Sequence, residues 1–232
     1  MCGRYSLAAP ADELVEAFDV PPLSFEYVPS YNISPGRVVA VVAQDRMGRR
    51  MGLLKWGFVP AWSGDPGRGF INARSESVTT KRSFRHAFAQ RRCLVPADGF
   101  YEWKRPGDPA DPDSRSRPGS PREPYWIHPV GGGLLAFAAI WEMWRGVGGD
   151  RRHGFAILTA VANGEVRSIH ERMPVVVSAT DHAAWLERST PVSRLEELLR
   201  PASDETFECR RVDTRVNRTA EDDEGLVAPL DP

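Results

Sequence analysis

The sequence has few cysteines, almost no lysine and no long run of apolar residues. Three cysteines, Cys2, Cys93 and Cys209, occur in 232 residues. So few cysteines, and an odd number of them, argue against a disulfide framework and for a reducing compartment. No apolar stretch reaches the length of about 18 residues that a membrane-spanning helix needs. The opening letters MCGRYSL lack the apolar region of a secretory signal. We therefore expect a cytoplasmic protein with no membrane partner.

The charge of the chain is nearly balanced overall but uneven along its length. The formal net charge is -1, and the last twelve residues hold five acidic side chains and no basic one. Residues 1–220 therefore carry 30 basic against 26 acidic side chains, a formal charge of +4. Of the 30 basic residues 27 are arginines, which form bidentate phosphate contacts and stack on rings. This enrichment fits an anionic partner and fits a bias of genomic base composition equally well.

The hydrophobic pattern predicts many strands and few helices. Residues 10–19 are predicted to form a helix, since Leu14, Val15 and Phe18 make one apolar stripe, and residues 45–48 are predicted to form a turn between two strands. The predicted strands are 37–43, 52–58, 92–96, 125–129, 134–141, 154–160, 174–178 and 207–213, and the other predicted helices are 181–188 and 192–200. This pattern is typical of one β-rich α+β domain.

Two segments stand apart from this pattern. Residues 105–124 contain six prolines and no large apolar side chain, so we expect a mobile loop inserted between two strands. The acidic residues 221–232 are expected to form a frayed tail. The domain is therefore placed at residues 1–220.

Cys2 is the most informative single residue. Removal of Met1 would leave a terminal α-amine with a pKa of about 7.7 to 8.0 beside a thiol with a pKa of about 8.5. An amine condenses with an aldehyde to an imine, and the neighbouring thiol can then close a five-membered thiazolidine ring. A cysteine inside a chain has no such amine. The alternative is an unreactive cysteine that happens to be second.

Three other segments contain polar side chains suited to proton transfer. Asn72 lies in FINARSE, Glu102 in ADGFYEWK and His170 in SIHERMP. A carboxylic acid among aromatic residues would be desolvated and its pKa raised, which suits acid–base work near neutrality, and histidine is the commonest proton carrier at that pH. Each residue also has a structural explanation, as a turn asparagine, a surface glutamate and a capping histidine.

Seven segments taken together resemble one protein family. They are MCGRY (1–5), YNISPG (31–36), KWGFVPAW (55–62), INARSE (71–76), CLVPADGFYEWK (93–104), ILTAVAN (157–163) and IHERMPVVV (169–177). In this order they resemble the SOS response-associated peptidase (SRAP) family, whose members include the abasic-site shield protein of eukaryotes. The resemblance implies a single SRAP-type domain with a mixed or antiparallel, barrel-like sheet flanked by a few helices.

The resemblance also implies a function, that of an abasic-site sensor and shield in the DNA damage response. In this family the mature N-terminal cysteine, here Cys2, forms a thiazolidine crosslink with the ring-opened sugar of an abasic site in single-stranded DNA. The family roles imply that Asn72 bonds at the crosslinked sugar, that Glu102 assists proton transfer, and that His170 handles protons on the sugar oxygen and promotes release. Lyase activity at the abasic site and self-removal of a short leader accompany these residues in the family.

A DNA-binding surface is implied in the same way. The resemblance implies that phosphates are clamped by Arg4, Arg74 and Arg172. Bases are expected to stack on or be wedged by Trp62 and Trp103. Pro35 is expected to line the pocket, and Thr159 to bond the sugar–phosphate. The expected partner is single-stranded DNA containing abasic sites, bound by a monomer that is nucleoid-associated when on DNA. No cofactor and no metal is expected, since the sequence has no zinc-type spacing and no glycine-rich phosphate loop.

Two other functions stay open on the sequence alone. Cys2 could be the nucleophile of a thiol peptidase or amidohydrolase, which would not need a free α-amine. Alternatively, the protein could bind single strands without covalent capture, and Cys2 would be incidental. Core packing is expected for Trp141, Trp144 and Trp185, and also for Cys93 and Cys209.

Overall fold

The computed structural model describes residues 2–65, 67, 69–105, 122–146 and 149–230. Within them the strands are β1 (Tyr5–Leu7), β2 (Ser30–Ile33), β3 (Val38–Asp45), β4 (Gly48–Trp56), β5 (Asn72–Arg74), β6 (Arg92–Ala97), β7 (Gly99–Lys104), β8 (Glu123–Pro129), β9 (Leu135–Arg145), β10 (Arg151–Val161), β11 (Arg172–Pro174) and β12 (Phe207–Arg211). The helices are α1 (Ala11–Phe18), α2 (Arg85–Gln90), α3 (Gly164–Arg167), α4 (His182–Leu186) and α5 (Val192–Glu197). The predicted α+β class with few helices is confirmed.

Five of the strands close into a barrel. Around the ring, β10 pairs with β4, β4 with β3, β3 with β6, β6 with β9, and β9 returns to β10. The β10–β4 pairing is parallel and the other four are antiparallel. Closing the ring pairs the edges that an open sheet would expose. The barrel-like mixed sheet implied by the resemblance is therefore confirmed.

A second sheet packs on the barrel, in the strand order β12-β8-β7-β1-β2. Tyr5 on β1 and Phe100 on β7 each meet Phe137 of β9 edge to face, with ring centroids 6.0 Å apart. Tyr5 also meets Trp56 of β4 at 5.3 Å. Burial of such rings is worth about 1.5 to 3 kcal/mol each. The core between the two sheets thus fixes β1 beside β7, next to the barrel wall.

Strand β10 extends beyond the barrel. Its first half lies between β4 and β9, and its second half binds two short strands instead. On one edge β5 runs parallel to it, and on the other edge β11 runs antiparallel, with Arg172 opposite Val161. The end of β10 therefore holds the residues of β5 and β11 on either side of one strand.

Several predicted elements are found. The helix predicted at residues 10–19 occurs as α1, which is followed by Asp19 in a left-handed conformation with φ of 49°. The turn predicted at 45–48 joins β3 to β4. The helices predicted at 181–188 and 192–200 occur in shorter form as α4 and α5.

The strand predicted at 174–178 differs from the structure. Strand β11 ends at Pro174, because the chain then crosses from one barrel strand to another. The N–H of Val175 donates to the carbonyl of Leu158 on β10, while its own carbonyl accepts from Ala138 on β9. After the crossing, the pairing with β9 is limited to a single bridge between Val176 and Phe137, so no further strand forms.

The acidic segment packs against the domain over residues 221–230. Leu226 is fully buried in a small apolar cluster with Tyr101. One carboxylate oxygen of Asp222 accepts a hydrogen bond from the hydroxyl of Ser30 at 2.7 Å. The expectation of a frayed end does not hold for these residues, because an apolar anchor and a carboxylate bond secure them.

Two other expectations concern the limits of the domain. Residues 106–121 of the expected loop lie outside the described residues, and the domain boundary at residue 220 stays a prediction. In the part of the chain that the structure describes, no helix is long and apolar enough to cross a membrane.

Candidate active site and nucleic-acid interface

Cys2 lies where the first residues of the chain run beside β7. The N–H of Tyr101 donates to the carbonyl of Arg4 at 2.9 Å, which extends the pairing of β1 with β7 towards the amino terminus. Cys2 is fully buried, and its carbonyl oxygen accepts a hydrogen bond from Nδ2 of Asn72 at 2.8 Å. Asn72 is the first residue of β5, so the pairing of β5 with β10 brings this amide to Cys2.

Glu102 and His170 form a second close pair. The Glu102 side chain on β7 is 3% exposed, and its Oε2 lies 3.9 Å from Nε2 of His170. Nδ1 of His170 accepts a hydrogen bond from the N–H of Arg172 at 3.0 Å. Nδ1 also lies 3.2 Å from the carbonyl oxygen of Arg172, so the two backbone contacts suit opposite tautomers of the ring. Nε2 is the nitrogen closer to the carboxyl group.

Burial sets the protonation of these groups. It raises the pKa of Glu102 to about 7, so both forms of the carboxyl group are populated near neutrality. Burial also lowers the pKa of His170, which favours the neutral ring. Burial, followed by the negative charge of Glu102, raises the pKa of the Cys2 thiol. The arrangement therefore combines a protonated thiol with a carboxyl group that exchanges its proton close to neutral pH and an imidazole whose neutral form is favoured.

Arg172 is held by Glu76 and Thr159. Its Nη1 and Nη2 donate to the two carboxylate oxygens of Glu76 at 2.5 Å and 2.9 Å, and Nη2 also donates to the carbonyl of Thr159. This guanidinium lowers the pKa of Glu76. Thr159 is fully buried, with its hydroxyl 3.3 Å from the same guanidinium. Thr159 thus lies beneath Arg172 in this structure, away from the surface where a sugar–phosphate contact is expected.

Arg4 and Trp103 are tied to the C-terminal part of the chain. Nη1 of Arg4 donates to Oδ1 of Asn32 at 2.6 Å and to the carbonyl of Val216 at 2.7 Å. The Arg4 guanidinium lies 5.9 Å from the centroid of the Trp103 ring. Nε1 of Trp103 donates to Oδ1 of Asn217 at 2.7 Å. Sequence reasoning did not single out Val216 or Asn217, since no local pattern marks these distant contacts.

The remaining DNA-binding candidates lie at the surface. Pro35 and Arg74 are exposed, and Trp62 is 55% exposed. Arg74 is the last residue of β5, two positions after Asn72. Among the described residues, hydrogen bonds and ion pairs link Cys2 to Asn72 and Glu102 to His170, and they leave Pro35 and Trp62 outside this network.

The other aromatic and cysteine residues behave mostly as core. Trp144 and Trp185 are buried, as is Cys93, whereas Trp141 and Cys209 are partly buried. Within the described ranges, no group of three or more His, Cys, Asp or Glu side chains is arranged to hold a metal ion.

The fold and the site together define a class of protein, a barrel domain in which an amide from a later segment bonds to the cysteine at position 2, a buried carboxyl group acts on its thiol, and an imidazole lies beside that carboxyl group. The chain belongs to the SOS response associated peptidase (SRAP) family, whose model matches residues 1–219. This confirms the family resemblance of the sequence motifs.

Named relatives and a solved structure agree with that assignment. The chain is 34% identical over 222 residues to the abasic site processing protein YoqW of Bacillus subtilis (strain 168), with 94% of each chain covered. It is 28% identical over 207 residues to the abasic site processing protein YedK of Escherichia coli (strain K12), with 85% of each covered. A phage-related protein from Bordetella bronchiseptica, known by crystal structure, is 30% identical with a TM-score of 0.72, over 91% of this chain and 94% of that one.

Proposed function

We propose that this protein processes abasic sites in single-stranded DNA and captures the ring-opened sugar through Cys2 after removal of Met1. One observation carries the proposal: the hydrogen bond of 2.8 Å from Asn72 to the carbonyl of Cys2 joins the candidate nucleophile to the rest of the site. The charge of Glu102 acts on the same thiol, and Glu102 lies 3.9 Å from His170. The names of YoqW and YedK, both abasic site processing proteins, support abasic sites as the substrate.

The proposed capture proceeds in two balanced steps. The α-amine of Cys2 adds to the aldehyde carbon of the sugar, and loss of water leaves an imine. The thiol then adds across the C=N bond, so that sulfur bonds to carbon, the thiol proton goes to nitrogen, and a thiazolidine ring closes. Asn72, bonded to the Cys2 carbonyl, holds the cysteine backbone in place during both steps.

Proton transfers in this scheme are assigned to Glu102 and His170. With a pKa of about 7, Glu102 accepts a proton from the terminal ammonium group and returns one to the departing hydroxyl. Nε2 of His170 serves the sugar oxygen when the ring opens and when the crosslink is released. The lyase reaction follows from the same imine: a base removes a proton from the carbon next to it, and the 3′ phosphate leaves with the electron pair.

The protonation of Cys2 favours capture over the alternative of a thiol peptidase. Such a peptidase needs a thiolate, generated by a lowered pKa or an adjacent base. Here both burial and the Glu102 charge raise the pKa of the thiol. Self-removal of a leader ahead of Cys2 remains part of the proposal, because it acts on the chain's own first residues and requires no substrate peptide.

The DNA strand is proposed to pass over the surface around Cys2. Exposed Arg74 and the stacked pair of Arg4 and Trp103 supply a phosphate contact and a base contact there. Arg172 joins them when a phosphate replaces Glu76 on its guanidinium. The exposed Pro35 and Trp62 are assigned to the rim of this surface, and Thr159 is assigned the role of supporting Arg172 from below.

Intact mass after denaturation tests this function. Protein freed of Met1 is mixed with a single-stranded oligonucleotide that carries one abasic site, and the expected product has the summed mass less one water. Cys2→Ala should form no adduct, while Cys93→Ala, which alters another buried cysteine, should form it normally. Protein whose Cys2 α-amine has been blocked by acetylation lacks the free amine and should also fail. An adduct from Cys2→Ala, or cleavage of an added peptide by the acetylated protein, would contradict the assignment.

A further inference from the structure

An exposed loop next to β5 presents an aromatic ring stacked with a cation. The loop between Phe58 and Phe70 is closed by these two residues, whose N–H groups donate to each other's carbonyls at 2.8 Å and 2.7 Å. Trp62 lies in this loop and is 55% exposed. The guanidinium of Arg82 lies 4.9 Å from the centroid of the Trp62 ring. The loop is thus held at its base, and its exposed indole stacks with Arg82, an exposed residue from the segment after β5.

The same loop is tied to the far end of β9 and β10. The carbonyl of Ser63 accepts a hydrogen bond from Nε1 of Trp144 at 2.7 Å. The guanidinium of Arg152, opposite Trp144 in the pairing of β9 with β10, lies 5.6 Å from a ring centroid of that tryptophan. Trp144 itself is buried and packs against Gly146, where an added Cβ would lie 2.4 Å from the ring. A fixed indole therefore orients Arg152.

A third cation lies beside Arg152. Lys55 on β4 is opposite Gly154 on β10, and side chains two apart on a strand share a face. Lys55 and Arg152 accordingly line one small cleft, together with Gly57 and Gly154. Lys55, Arg82 and Arg152 are all exposed, and we call these three residues the basic strip.

The positive charge of the basic strip is not neutralised by nearby carboxylates. In the described ranges, no ion pair within 4.0 Å joins any of the three to an acidic side chain. The neighbouring Glu142 is buried and pairs with Arg91 at 3.0 Å, and Asp65 accepts a hydrogen bond from the N–H of Gly67 at 2.8 Å. An arginine oriented by a ring and left without a carboxylate is suited to a phosphate.

We propose that the basic strip binds the phosphates of the single-stranded DNA that flanks the abasic site, an inference that rests on the proposed function. Asn72, which bonds to Cys2, lies opposite Ile157, five positions along β10 from Arg152, or about 17 Å at about 3.3 Å per residue. At about 3.4 Å per stacked nucleotide, the strip meets phosphates about five nucleotides from the lesion. A single strand fits better than a duplex because the exposed Trp62 ring provides a stacking face for an unpaired base.

The test compares two double variants of equal charge change. Lys55→Ala with Arg152→Ala removes two cations of the strip, and Arg145→Ala with Arg151→Ala is the control. Arg145 and Arg151 are exposed and lie opposite each other, one position from Trp144 and Arg152, so their side chains point to the other face. The measurements are the salt dependence of affinity for a lesion-free single strand with about 24 nucleotides, and the crosslinking rate to an abasic strand with about two nucleotides on each side of the lesion.

The strip variant should lower the slope of log affinity against log salt by about 1.4, since each single-strand phosphate contact contributes about 0.7. Its crosslinking rate to the short strand should match the wild type, and the control should change neither quantity. An unchanged slope in the strip variant, or an equally large decrease of the slope in the control variant, would contradict the proposal that the basic strip binds phosphates. A larger loss on a duplex of the same sequence would assign the surface to duplex DNA and overturn the single-strand assignment. Failure of the wild type to crosslink would contradict the proposed function alone, since the slope is measured without a lesion.

Discussion

Asn217 accepts a hydrogen bond from the indole nitrogen of Trp103 across 114 positions of the sequence, with a distance of 2.7 Å. Both residues belong to a larger contact between β7 and the turn at Thr214–Asn217. In that turn the carbonyl of Val216 accepts from Arg4, whose guanidinium lies over the same indole. The turn therefore orients two side chains that are proposed to meet DNA.

Replacement of Asn217 should weaken DNA binding, although Asn217 itself is not proposed to contact DNA. In Asn217→Ala the Trp103 indole loses its acceptor, and we expect about fivefold weaker binding of a single strand, equivalent to about 1 kcal/mol. Trp103→Phe lacks the indole N–H and serves as the matched partner variant. Affinities of the two single variants and the double variant form a cycle, in which the second change should add little to the first. Fully additive losses would argue against the coupling.

Glu102 should make the stability of the protein depend on pH. Its pKa in the folded protein is raised by burial from 4.5 to about 7, so the folded state keeps a proton that the unfolded chain has already released. The free energy of unfolding should therefore fall as the pH rises from 4.5 to 7, by about 3 kcal/mol in all, and level off above that. Denaturant titrations across this range measure the fall.

Glu102→Gln should remove that part of the pH dependence. The variant keeps a neutral group in the buried position, so it should exceed the wild type in stability above pH 7 while forming crosslinks about a hundredfold more slowly. Glu196→Gln, which changes an exposed carboxyl group on α5, should retain the wild-type profile. A Glu102→Gln protein with the same pH profile as the wild type would show that another group titrates.

The sequence predicts the barrel strands better than the strands that build the site. Strands β3 and β9 are long and apolar, and their positions follow from the pattern of apolar residues along the chain. Strands β1, β5 and β11 have three residues each, too few for a period to be seen, and they form because β7 and β10 provide hydrogen-bond partners. Leu226 is similar: one leucine in an acidic segment gives no signal, and its burial depends on Tyr101.

In the candidate site, motifs predict the residues, whereas the contacts between them are known only from the structure. The motifs predict Cys2, Asn72, Glu102 and His170 as site residues, and only the structure joins Cys2 to Asn72. The pairing of Glu76 with Arg172 spans 96 positions and cannot be inferred from spacing, because both residue types are common at surfaces. Burial of Thr159 is likewise a consequence of the two strands that flank β10.

Removal of the Glu76 charge should strengthen DNA binding and weaken the fold. Arg172 lowers the pKa of Glu76, so the pair stabilises the protein above pH 4.5 and loses that contribution as the pH falls through the lowered value. Glu76→Gln should therefore cost about 1 kcal/mol near neutrality and converge with the wild type in acid. The freed guanidinium should add about 0.7 to the salt slope for a single strand. An unchanged slope would mean that Arg172 does not reach phosphate.

His170→Ala should slow reversal of the crosslink much more than it weakens binding. The ring nitrogen nearest Glu102 is the proposed proton donor to the sugar oxygen, and its loss should slow reversal about a hundredfold. Because burial lowers the pKa of His170, wild-type reversal should speed up as the pH falls through that lowered value, whereas the variant should lack this acceleration. Release of DNA from purified adduct measures both.

Two comparison variants separate proton transfer from positioning at residue 170. His170→Gln keeps an acceptor for the N–H of Arg172, which now bonds to Nδ1 at 3.0 Å, but it cannot carry a proton at neutral pH. It should reverse as slowly as His170→Ala. His86→Ala changes an exposed histidine and should reverse at the wild-type rate. If the glutamine variant reversed at the wild-type rate, the role of His170 would be to hold the backbone of Arg172, and the proton on the sugar oxygen would have to come from Glu102 or from water.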